Sequence, residues 1–408
     1  MGFTIEEECP QCGAPVELDE TDRLLRCPYC GVSSFLFSDE YFRLILPHKA
    51  GTREMIYVPY LRFKGSVFSC HVNGVRYRIA DITRLSVPFK RFPMSLGLRP
   101  QTLTMRFAKA DTAGTFLKEF IQTDQLLAAA EKPLVNSGRE EVFYRAFIGD
   151  AVNLIYLPMY VTQNTLFDGV THTPVARVPK GQDIFRSIID QRPRWSLRFL
   201  ATLCPRCGWN LEGEKDSVVL TCGNCESAWE AKEGRFVPVD MAVVTGDSPE
   251  ASYLPFWKMS VQTRGVDITS YADFIRATNQ PKAIQKAWEK TEMCFWCPAF
   301  KIRPKRFLDL SRRLTVSQEA IDADGRLPQK NRYPATLPLS EAIQGIKVTL
   351  AGSAVNKRKL IPRLPDIRPS IRRAFLVYLP FHETVHEMIQ PHTCLSINKK
   401  SLEFGRFL

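Results

Sequence analysis

Eight of the chain's twelve cysteines fall into two sets with one spacing. CPQC (Cys9, Cys12) is followed after fourteen residues by CPYC (Cys27, Cys30), and CPRC (Cys204, Cys207) after fourteen by CGNC (Cys222, Cys225). Each C-x-x-C forms a turn that aims two thiolates at one point. The intervening segment suits a short hairpin that brings the second turn opposite the first, completing a tetrahedron around one ion. Gly13, Gly31 and Gly208 directly follow three of the four turns and help them tighten. Zinc suits a soft four-thiolate shell, and such a closed shell leaves no position for a substrate. Spacing alone does not separate zinc from a rubredoxin-like iron site, and disulfides fit poorly with a reducing compartment.

These two segments, Cys9 to Cys30 and Cys204 to Cys225 with a few flanking residues, resemble the zinc-ribbon family of rubredoxin-like, transcription-factor-type modules, present in two copies. The resemblance implies two structural zinc ions. It is nearly silent on function, since ribbons occur in polymerase subunits, transcription factors, tRNA enzymes and protein-interaction modules. The order of ribbon and YVPYLRFKG is also similar to uncharacterised bacterial zinc-ribbon proteins, which adds nothing on mechanism. Among the remaining cysteines, CFWC (Cys294, Cys297) offers three readings: a redox pair, part of a third metal site with Cys70 and His71, or buried packing thiols.

The chain reads as written twice. After the first ribbon come IYVPYLRFKG (Tyr57, Pro59), MSLGLRPQTL (Arg99, Pro100) and AVNLIYLPMYVTQN (Tyr156, Pro158). After the second come SYLPFWKMSV (Tyr253, Pro255), AFKIRPKRFL (Arg303, Pro304) and RRAFLVYLPFHETV (Tyr378, Pro380). Ribbon, Tyr-apolar-Pro, Arg-Pro and Tyr-apolar-Pro recur in one order, which argues for an internal duplication. The residues before each Tyr-apolar-Pro are β-branched and aromatic, a strand composition, and a proline inside marks an edge, bulge or bend. Helices are expected over Phe116–Lys132, GQDIFRSIIDQ, YADFIRATNQPKAIQKAWEK with a break at Pro281, and SEAIQGIKVTLAG with Ser340 as N-cap. The predicted class is α+β: a tandem duplication, each half a four-cysteine ribbon followed by a β-rich antiparallel domain with a few helices. The expected units are ribbons at 1–36 and 195–238 and β-rich domains at 37–180 and 239–408.

One stretch competes with this reading. HETVH (His382, Glu383, His386), with His392 beyond it, resembles the metzincin motif of zinc peptidases. Carried over, the three histidines would bind zinc and Glu383 would activate water. Ile389 departs from the pattern, standing where the motif has the glycine that turns the chain back, and Pro391 stiffens the return. The chemistry also needs a helix: histidines at i and i+4 are then roughly 6 Å apart, against roughly 13 Å in a strand. Aligned on Tyr-apolar-Pro, His382 falls with Leu61, Tyr160 and Trp257, in segments that read as strands. The expectation is an extended chain from about Leu376 to Val385, with His382 and His386 not converging.

Charge is uneven. Residues 1–50 hold 4 basic and 9 acidic residues, a balance of −5, and residues 298–408 hold 20 and 9, a balance of +11. The densest basic stretches, KRFLDLSRR (Lys305–Arg313) and NKRKLIPRLPDIRPSIRR (Asn356–Arg373), lack interleaved aromatics that would stack on bases. Glycine-rich phosphate loops, G-x-S-x-G and paired carboxylates in an apolar setting are not found. The longest apolar run, AFLVYLPF, is too short to cross a bilayer, and no secretory signal is visible, so a cytoplasmic protein without membrane insertion is expected. The leading reading is a non-catalytic zinc-binding adaptor or assembly subunit with a protein partner. The alternatives are nucleic-acid binding through the basic C-terminal half, and a metallopeptidase through His382, Glu383 and His386.

Overall fold

The computed structural model describes residues 2–48, 53–89, 91–120, 141–178, 185, 188–190, 197–246, 248, 250–318, 325–328, 330–393 and 395–407. Among these the chain is strand-rich with few helices, and its strands form sheets of ten, three, three and six members.

Each half is organised by one long antiparallel pair. In the first half Ile56–His71 pairs with Val142–Thr162, setting Tyr57 opposite Pro158 and Pro59 opposite Tyr156. In the second Ser252–Arg264 pairs with Arg368–Glu383, setting Tyr253 opposite Pro380 and Pro255 opposite Tyr378. The Tyr-apolar-Pro segments therefore pair with each other, in one register in both halves.

The prolines explain what the motif does. Pro59 O accepts from Ser86 N at 2.9 Å, and Pro255 O from Ala299 N at 3.0 Å. Proline has no N–H to return, so the ladder stops there. The carbonyls of Ser86 and Ala299 accept instead from a crossing segment, Phe120 N at 2.7 Å and Thr336 N at 2.9 Å. The same crossing segment donates to the motif tyrosine in each half, Leu117 N to Tyr57 O and Tyr333 N to Tyr253 O.

The matches continue outward. Phe42–Ile45 runs parallel to the second long strand with Ile45 opposite Tyr156, as Met241–Val243 does with Val243 opposite Tyr378. These parallel neighbours depart from the wholly antiparallel domains the sequence suggests. The third strand is Gly74–Leu85 in the first half, with Leu85 opposite Tyr60, and Cys294–Pro298 in the second, with Pro298 opposite Phe256. Arg-Pro opens a helix in both places, Arg99–Thr102 and Pro304–Ser317, where proline's fixed φ and missing N–H suit a first turn.

The helices differ from expectation in detail. Tyr271–Thr278 ends at left-handed Asn279, before Pro281, and Lys286–Glu289 is a separate 3₁₀ turn. Leu339–Ser353 starts one residue before Ser340 with Pro338 as N-cap, so Ser340 lies inside the helix. Phe116 belongs to a short strand, and most of the remainder of Phe116–Lys132, like most of GQDIFRSIIDQ, lies outside the described residues.

The halves share a core. Phe68, Cys70, Ala146 and Ile148, at the far end of the first long pair, join Trp257, Phe307 and Leu376 in one apolar cluster. A bulge at Ile148–Ala151 sets Gly149 at φ +68, and its N–H donates to Glu341 Oε2 at 2.5 Å. No helix among the described residues is long and apolar enough to cross a membrane.

Candidate metal centres

Three of the four C-x-x-C turns share one hydrogen-bonded build. Gly13 N donates to Cys9 O at 2.9 Å and Cys9 N to Ala14 O at 2.8 Å; Gly31 and Cys27, then Gly208 and Cys204, repeat the pattern. The residue after each turn is left-handed: Gly13 (φ 72), Gly31 (φ 73), Gly208 (φ 73) and Glu226 (φ 51). The fourth turn therefore adopts the glycine conformation without a glycine.

Hairpins bring the turns together. In the first ribbon Thr4–Glu8 pairs with Pro15–Asp19, and Leu24–Arg26 with Ser33–Phe37. Cys9 and Cys30 Sγ are then 3.7 Å apart, as are Cys12 and Cys27 Sγ. In the second ribbon Cys204 and Cys225 Sγ lie 3.6 Å apart, and Cys207 and Cys222 Sγ 3.5 Å apart. Within each cluster all four sulfurs lie within 4.8 Å of one another. A tetrahedral ion with bonds of about 2.3 Å places its sulfurs about 3.8 Å apart, so the donor sets fit a zinc ion, whereas a disulfide needs about 2 Å.

Polar hydrogens are aimed at these sulfurs. At Cys27 the Cys30 amide outweighs burial and, with the Tyr29 amide, holds the thiol down at about 7. At Cys204 burial raises the pKa, but the Arg206 and Cys207 amides and the Ser227 hydroxyl bring it down to about 6. Burial pushes the Cys222 thiol up to about 12. Four thiols so close together cannot all ionise without a cation, so metal binding there releases protons. Ser227 Oγ lies 3.0 Å from Cys225 Sγ and accepts from Trp229 Nε1 at 2.8 Å. Ser227 and Trp229 carry no spacing signal and escape sequence reading.

The two centres are neighbours. Arg198–Ala201, which leads into Cys204, adds a third strand to the first ribbon by pairing with Ser33–Phe37. Lys215 O, between the second ribbon's turns, accepts from Arg23 N and Leu24 N of the first. Leu24 and Phe35 of the first ribbon pack with Cys204, Leu211, Leu220, Cys222 and Trp229 of the second. The first ribbon is also fixed to its sheet: Thr4–Glu8 runs parallel to Met105–Phe107, and buried Glu20 is held by Arg62 and Lys64 of the first long strand.

No family model, curated protein or solved structure matches this chain.

The other candidate residues lie elsewhere. Cys294 and Cys297 sit three residues apart in the extended strand Cys294–Pro298, so their side chains leave opposite faces. That backbone holds them apart as a redox or metal pair, and neither joins a group of ligating atoms among the described residues. Burial raises the Cys297 pKa and pushes Cys70 up to about 12, the behaviour of packing thiols.

HETVH forms a β-hairpin rather than a helix. His382 pairs with Ile389 and Glu383 with Met388 around Val385 and His386. The extended segment stops at Glu383, two residues earlier than expected, because Thr384 accepts and donates across the turn with Glu387. The hairpin matches one in the first half, where Tyr160 pairs with Phe167 around Gln163 and Asn164. His382 itself is exposed, unlike buried Tyr160, and Glu383 is held down by Lys399 at 2.6 Å and by the Ser252 hydroxyl.

Proposed function

We propose that this chain is a non-catalytic zinc protein, built by duplication of a ribbon joined to a β-rich unit, that serves as an adaptor or assembly subunit for a macromolecular partner. The observation that carries it is the pair of four-sulfur clusters. Four thiolates complete a tetrahedral shell, so an ion there supports the fold and keeps no open position for chemistry. The matched registers of the two long strand pairs support the duplication. Metal analysis of the purified chain tests the reading: two zinc ions per chain are expected, and three zinc ions or bound iron would overturn it.

A second reading, nucleic-acid binding through the basic C-terminal half, draws on the exposed Lys305, Arg306, Arg312 and Arg313 on the helix Pro304–Ser317. It requires affinity that falls steeply with salt, and failure to bind DNA or RNA at low salt removes it. The peptidase reading through His382, Glu383 and His386 gains nothing from a hairpin, which lacks the helical face that brings the two imidazoles to one ion.

A further inference from the structure

The third strand of the first half, Gly74–Leu85, pairs on one side only, with Ile56–His71, and without a register shift. In an antiparallel ladder alternate residues turn N–H and C=O outward. The parity is visible at its end, where Ser86 N donates inward to Pro59 O while Leu85 N leaves the ladder for Met94 O at 3.2 Å. Val75, Tyr77, Ile79, Asp81 and Thr83 therefore face outward, and among the described residues no other strand pairs with them. Natural edges are blunted by proline, bulges or a covering element, and this strand has neither proline nor bulge.

The second half shows the same edge sealed. There the outward-facing residues are Cys294 and Trp296, the counterparts of Asp81 and Thr83. Trp296 N donates to Thr315 Oγ1 at 3.0 Å and Cys294 N to Gln318 Oε1 at 3.2 Å. Their carbonyls accept in return, from Thr315 Oγ1 and Gln318 Nε2. One copy closes its edge with two side chains, whereas in the other Met94 to Leu96 cover the edge at Thr83 and Leu85 and no described strand pairs with Val75, Tyr77 and Ile79.

The surroundings specify a partner. Arg76 to Ile79 are all exposed, with Tyr77 and Ile79 at 39% and 46% on one face and Arg76 and Arg78 on the other. Lys357 Nζ lies against Gly74, 3.3 Å from where a side chain there would begin. The helix Pro304–Ser317, with its exposed Lys305 and Arg306, packs beside the same strand. The carboxylate on the edge, Asp81, is held by Arg62 at 3.0 Å. Both basic stretches singled out in the sequence thus reach this one strand.

We propose that this edge receives an extended acidic segment of a partner protein as an added β-strand, apolar opposite Tyr77 and Ile79 and acidic beside Arg78 and Lys357. The inference rests on the adaptor reading and names its docking surface. Outward N–H and C=O groups at strand spacing complement a peptide backbone. A nucleic acid would find one exposed aromatic, Tyr77, rather than a stacking row. A second copy pairing edge to edge about Arg78 would set arginine against arginine.

The test is fluorescence anisotropy with the full zinc-loaded chain and three labelled probes: a short peptide alternating Val and Glu, one alternating Val and Lys, and a short single-stranded DNA. The Val–Glu peptide should bind best. Ile79→Pro, which removes one outward N–H and spares the inward ladder, should weaken it about tenfold. Arg78→Glu with Lys357→Glu should shift preference to the Val–Lys peptide, with zinc content and circular dichroism unchanged. Failure of the Val–Glu peptide to bind, wild-type binding by Ile79→Pro, or tighter binding of the DNA would overturn the proposal. Two zinc ions per chain without peptide binding would overturn the edge alone and leave the zinc-protein reading standing.

Discussion

Ser227 can donate toward Cys225 because Trp229 already supplies its hydroxyl oxygen with a hydrogen. Donors of this kind tune a metal site from outside the ligand shell, and their loss typically costs about tenfold or more in affinity. Ser227→Ala should therefore weaken zinc at the second centre by about tenfold and leave the first unchanged, as read by competition with a chromophoric chelator. The thiols also set a pH dependence. Donated hydrogen bonds depress Cys27 and Cys204 below the ordinary thiol value in the folded chain, to about 7 and about 6. Stability from these two thiolates is thus fully present above the ordinary thiol value of 9.0 and lost as pH falls through the lowered values. Protons compete with metal for the same sulfurs, so the melting temperature of the zinc-loaded chain should fall on acidification, and a flat profile would contradict thiolate ligation. At this scale the eight cysteines were legible, since their spacing is the signal. Glu226 was not, because its left-handed backbone follows from the turn rather than from its own preference.

At the scale of elements, Tyr-apolar-Pro was legible as strand because β-branched and aromatic neighbours favour a pleated surface and proline restricts where it can sit. That frame also aligned HETVH with YVTQN, and each of the two stretches enters a hairpin turn. The helix Pro304–Ser317 was missed. Its Phe307, Leu310 and Leu314 have helical spacing, but the charges between them read as a solvated basic stretch. The joining of the ribbons was also illegible, since Arg198–Ala201 pairs with a strand far back in the chain and no local preference announces that register. It has an energetic consequence. A centre whose cysteines pack against the neighbouring ribbon should feel the loss of that ribbon's metal. Cys27→Ser is expected to weaken zinc at the second centre as well as remove it from the first, and independent loading of the two sites would refute the coupling.

For the whole molecule, the far end of the first long strand pair sits inside the second half's core, so neither half completes its own interior. Residues 195–408 expressed alone should bind dye that reports exposed apolar surface and scatter light on standing. The full chain should unfold in one calorimetric transition, and two separated transitions would show the halves to be independent. Pro59 and Pro255 carry a different kind of consequence. At each, a rung is left out of the ladder and a passing segment takes its place. On the proposed duplication, an amide N–H introduced at that rung would compete with the passing segment, while most other positions can drift. Two descendants of one ancestor under that rule lose likeness in their side chains first, and keep a tyrosine, a proline and the gap between rungs.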